Sequence, residues 1–217
     1  MYFEFLIEDL SGKKLLDILV PKIIRETDSF RCMSYKGIGH IPKNMTASQD
    51  PKKRQLLTQL PKLLKGYGNN PFYRENATIV VVCDLDNRCL NTFQNELLAV
   101  LNTCTQAPRT LFCIAVEEGE AWLLGDIPAI KTAYPTAKDN ILSSYINDSI
   151  CGTWEHLADA LLPKGHKELK TKGFQAIGNQ KSLWAEKIGP HMHIALNKSP
   201  SFRDFRDKLR QTSLPIP

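Results

Sequence analysis

The run Ile79-Val80-Val81-Val82-Cys83-Asp84-Leu85-Asp86 constrains this chain more than any other stretch. An unbroken β-branched run reads as a strand buried on both faces, and such strands belong to parallel sheets covered by helices. It ends abruptly in two acids one residue apart, so the strand delivers carboxylates to its C-terminal end, where open α/β sheets bind their ligands. Two acids so placed commonly hold a divalent cation, because hard cations take oxygen ligands. The plainer alternative is that Asp86 caps the helix that follows.

The remaining pattern extends the same architecture. Tyr2–Ile7 reads as a first strand closed by Glu8-Asp9, and Ser11-Gly12 leads into an amphipathic helix carrying Leu15, Leu16, Leu19, Ile23 and Ile24. Phe30–Tyr35 is a second strand, followed by a Gly-rich turn and a polar loop through Asn44–Lys53. A helix over Arg54–Leu64 is expected to break at Pro61, with Gly66–Pro71 as a turn-rich connection. Arg88–Leu101 is helical, and Thr110–Val116 is another strand ending in acids, Glu117, Glu118 and Glu120. Beyond Trp122 strand-like runs vanish. One helix is expected over Lys181–Ile188, and another starts at Ser199-Pro200, with Ser199 as its cap. The chain therefore reads as α/β: a mostly parallel sheet flanked by helices over residues 1–125, and a mainly helical extension, 126–217, packed on it.

Composition sets broad limits. At 217 residues and 42% hydrophobic the chain can bury a full core, and a net charge of +5 is compatible with a polyanionic partner. Its six cysteines form no CxxC pair, and Cys83 and Cys113 fall inside apolar runs, so they read as buried thiols of a reducing, cytoplasmic compartment. No apolar run approaches the ~20 residues of a membrane helix, and the N-terminal residues do not read as a signal peptide.

Three strands thus end in acids: Glu8-Asp9, Asp84-x-Asp86 and Glu117-Glu118-x-Glu120. Neighbouring strands of one parallel sheet would bring them together, and a bound cation would be the natural counter-charge. Three helix starts, each enriched in acids by the helix dipole, are the alternative.

With Glu8 after the first strand and Asp84-x-Asp86 after a later one, the chain resembles the Toprim fold of topoisomerases, primases and the OLD-type and RloB-like nucleases of bacterial defence loci. Several segments look like a narrower Toprim-like bacterial family of unassigned function: Ile7–Gly12, Tyr35–Gly39, Ala115–Asp126 with its EAWLLGD motif, and Asn197–Phe202. The resemblance implies that Glu8 is a metal ligand or general acid–base, that Asp84 and Asp86 bind metal, and that Glu117 or Glu120 serves a second ion. Lys181 would match a late catalytic lysine. Glu8 is followed by Asp9 where many Toprim proteins carry glycine. The implied activity is a phosphodiesterase dependent on Mg²⁺ or Mn²⁺, two ions in all, acting as a nuclease on DNA or RNA. An AAA- or ABC-type ATPase is the implied partner in anti-phage defence, and an oligomer is compatible with it.

Two other functions fit the same residues. A non-catalytic Toprim-like binding or regulatory subunit needs no metal. A haloacid-dehalogenase-type phosphatase also runs a strand into Asp-x-Asp, but here Arg88 stands where Thr or Val is usual. Among isolated features, Lys36–His40 reads as an ordinary loop rather than a phosphate cradle, Trp122 as core, and Asp126 as a helix cap. His191 and His193 read as exposed side chains without a third ligand, and nothing orients Cys151 toward His156.

Overall fold

The computed structural model describes residues 1–45, 54–149 and 152–213. Among them four strands form one all-parallel sheet: β1 (Tyr2–Ile7), β2 (Ser29–Ser34), β3 (Ala77–Asp84) and β4 (Thr110–Ala115), in the order β2-β1-β3-β4. The helices are α1 (Leu10–Leu19), α2 (Leu56–Asn69), α3 (Pro71–Asn76), α4 (Leu90–Asn102) and α5 (Glu120–Leu124), then α6 (Ile127–Ala133), α7 (Asp139–Leu142), α8 (Thr153–Leu161), α9 (Gly165–Thr171), α10 (Phe174–Ile188) and α11 (Pro200–Ser213). No helix among the described residues is long and apolar enough to cross a membrane.

The sheet is covered on both faces, which is why β3 reads as a continuous apolar run. Strand side chains alternate between faces. Phe3, Phe5, Ile7, Val80, Val82, Cys113 and Ala115 pack into one apolar cluster with α1, α5, α8, α10 and α11. Leu6, Ile79, Val81, Cys83 and Ile114 point the other way, against α2 and α4. The larger cluster joins strand residues to Trp184, Phe202 and Phe205, so residues on both sides of position 125 share one core. Trp122 is buried there and stacks on Phe205, with ring centroids 4.8 Å apart.

Two local expectations are corrected. Helix α2 runs through Pro61 to Asn69. Pro61 gives up one backbone bond at about 3 kcal/mol, but Leu56, Leu57, Leu60 and Leu64 are all buried on the same helix, at roughly 2 kcal/mol each. Gly68, read as part of a turn, lies inside α2, where a Cβ would collide with the Gln106 carbonyl oxygen. Helix α10 is also longer than expected and begins at Phe174.

Several expectations hold. Asp126 caps α6 by accepting from the Ala129 N–H at 3.1 Å. The Ser199 hydroxyl accepts from the Phe202 N–H at 3.2 Å at the start of α11. The Lys36–His40 loop is structural, its Gly37 and Ile38 carbonyls accepting from the Leu56 and Leu57 N–H groups at the start of α2. His191 and His193 are exposed, and Cys83 and Cys113 are buried free thiols. Cys151 and most of the polar loop after Asn44 fall outside the described residues.

Candidate active site

The order of the strands creates the site. From β1 the chain passes through α1, on one face of the sheet, to β2, whereas β3 leads through α4, on the opposite face, to β4. A crevice opens where such connections diverge, at the carboxyl ends of the two central strands. Here these are β1 and β3, and Glu8 and Asp84 stand at their ends. The Asp84 N–H donates to Glu8 Oε2 at 3.1 Å, and both residues line one small cavity with Glu120 and Lys181.

Beyond β3 and β4 the backbone turns sharply. Asp86 and Glu117 both have positive φ, 50° and 64°, and the Asp86 N–H donates to the Glu117 carbonyl at 3.0 Å. This conformation is uncommon for residues other than glycine, and in glutamate it costs about 1 kcal/mol. Asp86 is not a helix cap: the cap position of α4 is Cys89, and Asp86 pairs instead with Arg88 at 3.2 Å.

The turn at Glu117 points its carboxylate at the start of α8, where its oxygens accept from the Gly152 N–H and, at 2.9 Å, the Thr153 N–H. Glu118 does the same from the other side, accepting from the Thr153 hydroxyl at 3.1 Å and the Trp154 N–H at 3.4 Å. Two acids therefore satisfy the orphan donors and positive end of one helix.

Lys181 reaches the acids from α10. Its ammonium lies 3.0 Å from Glu118 Oε1 and 3.0 Å from Glu120 Oε2, with all three side chains largely buried. A lysine, rather than an ion alone, thus supplies counter-charge to the cluster. Burial opposes the lysine's charge, but Glu120, Glu118 and Asp84 outweigh it and hold its pKa well above the ordinary value.

The central carboxylates are different. Burial pushes Glu8 up to about 7, against the Asp84 N–H, and the charges of Asp86 and Asp9 add to the rise. Asp84 is held well above the carboxylate range, first by burial and then by the Glu8 charge, with Lys181 pulling the other way. Glu120 also rises to about 7, because burial outweighs its lysine partner. Two crowded acids with high proton affinity mark a place where negative charge is under-compensated.

The structure thus brings Glu8, Asp84, Glu120 and Lys181 to one cavity, leaves Asp86 outside its lining and paired with Arg88, and turns Glu117 away to cap α8. Among the described residues no group of three or more His, Cys, Asp or Glu side chains is disposed to hold a metal ion. The donor set nevertheless suits Mg²⁺, which is usually held by one or two carboxylates with water and phosphate oxygens completing its shell.

Sequence reasoning missed the role of Glu118, which joins Lys181 to α8. It also missed the groove beside the acids, because α10 was expected to start only at Lys181. The one available signal was Gly173-Phe174, a helix start preceded by glycine.

The EAWLLGD motif has a structural explanation. Trp122 Nε1 donates to the Ser201 hydroxyl at 3.0 Å, and the Asn197 amide donates to the Trp122 carbonyl at 2.8 Å. A Cβ on Gly125 would collide with Asn197, so the motif and the Asn197–Ser201 segment dock through close backbone approach. No curated protein and no solved structure matches the chain. A family model, the domain of unknown function DUF4276, matches residues 7–210, a span containing every candidate site residue named above, and the chain belongs to that family.

Proposed function

We propose that this chain is a divalent-metal-dependent phosphodiesterase, a Toprim-like nuclease whose reaction takes place between Glu8, Asp84 and Lys181. The observation that carries the reading is the pair of buried, charge-crowded carboxylates at the switch point of the sheet, with a lysine beside them. Glu8 and Asp84 would hold the ion, and Asp86 would reach it only by leaving Arg88. When bound, the ion supplies Lewis-acid stabilisation of the phosphate and makes a bound water acidic. Lys181 offsets negative charge developing on the phosphate oxygens. A second ion would have to draw Glu120 away from Lys181. Association with an AAA- or ABC-type ATPase rests on the resemblance alone.

The test is cleavage of supercoiled plasmid and of tRNA in Mg²⁺ or Mn²⁺. The wild-type chain should cut at least one of them, and Asp84→Asn and Glu8→Gln should each slow cleavage by about 100-fold or more. Cleavage that survives both substitutions removes the site. One observation favours a second reading, a non-catalytic subunit: Lys181 is already engaged in ion pairs with Glu118 and Glu120. Absence of both cleavage and Mg²⁺ uptake in calorimetry, together with a tight complex with an ATPase, would select it.

A further inference from the structure

We propose that the open groove beside the acids binds an unpaired stretch of nucleic acid, with one base stacked on Phe174. This names the substrate form for the phosphodiesterase reading and rests on that reading for its function. The groove encloses about 990 Å³ between α1, α8, α9 and α10, and its inner end carries Glu8, Glu118 and Lys181.

Phe174 is the first residue of α10 and is 93% exposed. A ring of this size contributes much to binding when covered, so one left bare at the mouth of a groove calls for an occupant. Phe174, Gly178 and Lys181 fall at i, i+4 and i+7, one stripe of α10 running from the ring to the reacting groups. Beside this stretch of helix there is room: apart from chain neighbours and the helix's own backbone, nothing lies within 4 Å of where a Cβ at Gly173 or Gly178 would stand. The separation along the helix is roughly 10 Å, the span of about three stacked nucleotides at about 3.4 Å each.

The groove's other lining is polar. Gln175 and Asn179 present exposed side-chain amides joined by a hydrogen bond of 3.0 Å, groups that both donate to and accept from base edges. Lys36 and Lys170 add positive charge, Lys170 over the Trp154 ring at 5.5 Å and paired with Glu155 at 2.9 Å. Lysines suit phosphates, which fix a strand without reading its sequence.

A duplex fits this lining poorly, because its base faces are covered by their neighbours and an aromatic platform cannot reach them. An unpaired base offers its face at once. A protein partner is disfavoured by the surroundings, since interface anchors sit at the centre of apolar patches. Phe174 shares its groove mainly with polar and charged side chains, with Leu10, Trp154 and Ile177 as its other apolar members.

The experiment measures binding apart from cleavage, by fluorescence anisotropy in Ca²⁺ with labelled oligothymidylate, oligouridylate and a duplex of the same length, about 12 nucleotides. The single strands should bind about 10-fold more tightly than the duplex. Phe174→Ala should weaken that binding about 10-fold, and Phe174→Trp should restore it. The ring is exposed, so neither change threatens folding. Gly178→Leu should also weaken binding by filling the space beside the ring. Equal binding by wild type and Phe174→Ala overturns the proposal, as does duplex preference or a need for Phe174 only in a complex with another protein. Phe174-dependent binding without cleavage would leave this site standing and remove the phosphodiesterase reading. Asp84-dependent cleavage indifferent to Phe174 would do the reverse.

Discussion

Lys181 is the residue on which the site turns, and removing it separates charge from structure. Lys181→Met leaves Glu118 and Glu120 buried without their shared cation, a change that costs about 3–5 kcal/mol when a buried pair is broken. Thermal unfolding at pH 8 should show that loss. At pH 5.5 it should shrink, because Glu120, raised to about 7, is then protonated and needs no counter-charge. Glu8 gives a second pH signature. Its folded pKa of about 7 lies above the ordinary glutamate value of 4.5, so the folded state binds the proton more tightly. Its contribution to stability is full below about pH 4.5 and is lost as pH rises through 7. Without divalent ions, Glu8→Gln should therefore stabilise the chain at pH 8, by about 3 kcal/mol at most, and make no difference near pH 4. A flat difference between the two proteins across that range would show that Glu8 ionises as freely as in water. If the proposed ion binds, Mg²⁺ should raise the melting temperature of wild type at pH 8 and leave Glu8→Gln unmoved.

At the scale of elements, glycines distinguish helices shaped by contact from a helix left open. Gly68 in α2 faces the Gln106 carbonyl, where an added methyl would collide, while Gly178 in α10 faces open space. Gly→Ala should raise the stability of an open helix interior by roughly 0.5–1 kcal/mol. We expect that gain at Gly178 and a loss at Gly68 in parallel urea titrations; the same sign at both positions would mean that the Gln106 approach is not rigid. The start of α8 belongs to this scale too. Glu117 was a candidate ligand by sequence because a strand end in acids looks alike whether the acids hold an ion or a helix. The turn at φ 64° and the two amides it meets decide which structure its carboxylate serves here.

Across the whole molecule, the C-terminal helices complete the core and deliver the lysine. Trp122, Phe202 and Phe205 pack together beneath β1 and β4, and Phe5 lies 6.4 Å from Phe205 between ring centroids. Phe205→Ala should cost about 3–5 kcal/mol. A chain ending after Leu124 should fail to unfold cooperatively, since it would leave the larger cluster without α8, α10 and α11. Calorimetry of that truncation checks the point; a sharp transition would mean that the sheet with α1, α2 and α4 is stable alone.

The sequence by itself determined the sheet and which acids stand at its strand ends. A β-branched run ending in Asp84-Leu85-Asp86 implies a buried parallel strand, and Glu8 and Glu120 follow strands of the same kind, so their convergence needed only that the strands be neighbours. These inferences succeed because strand periodicity and strand-end chemistry are local. Only the tertiary structure decided how the acids are used. It set β1 beside β3 at the divergence of α1 and α4, brought Lys181 to Glu118 and Glu120, and turned Glu117 onto α8. It also left Phe174 bare beside the cavity. Those outcomes depend on packing between residues far apart in the chain, 36 positions for Glu117 and Thr153 and 63 for Lys181 and Glu118, and no local pattern encodes them.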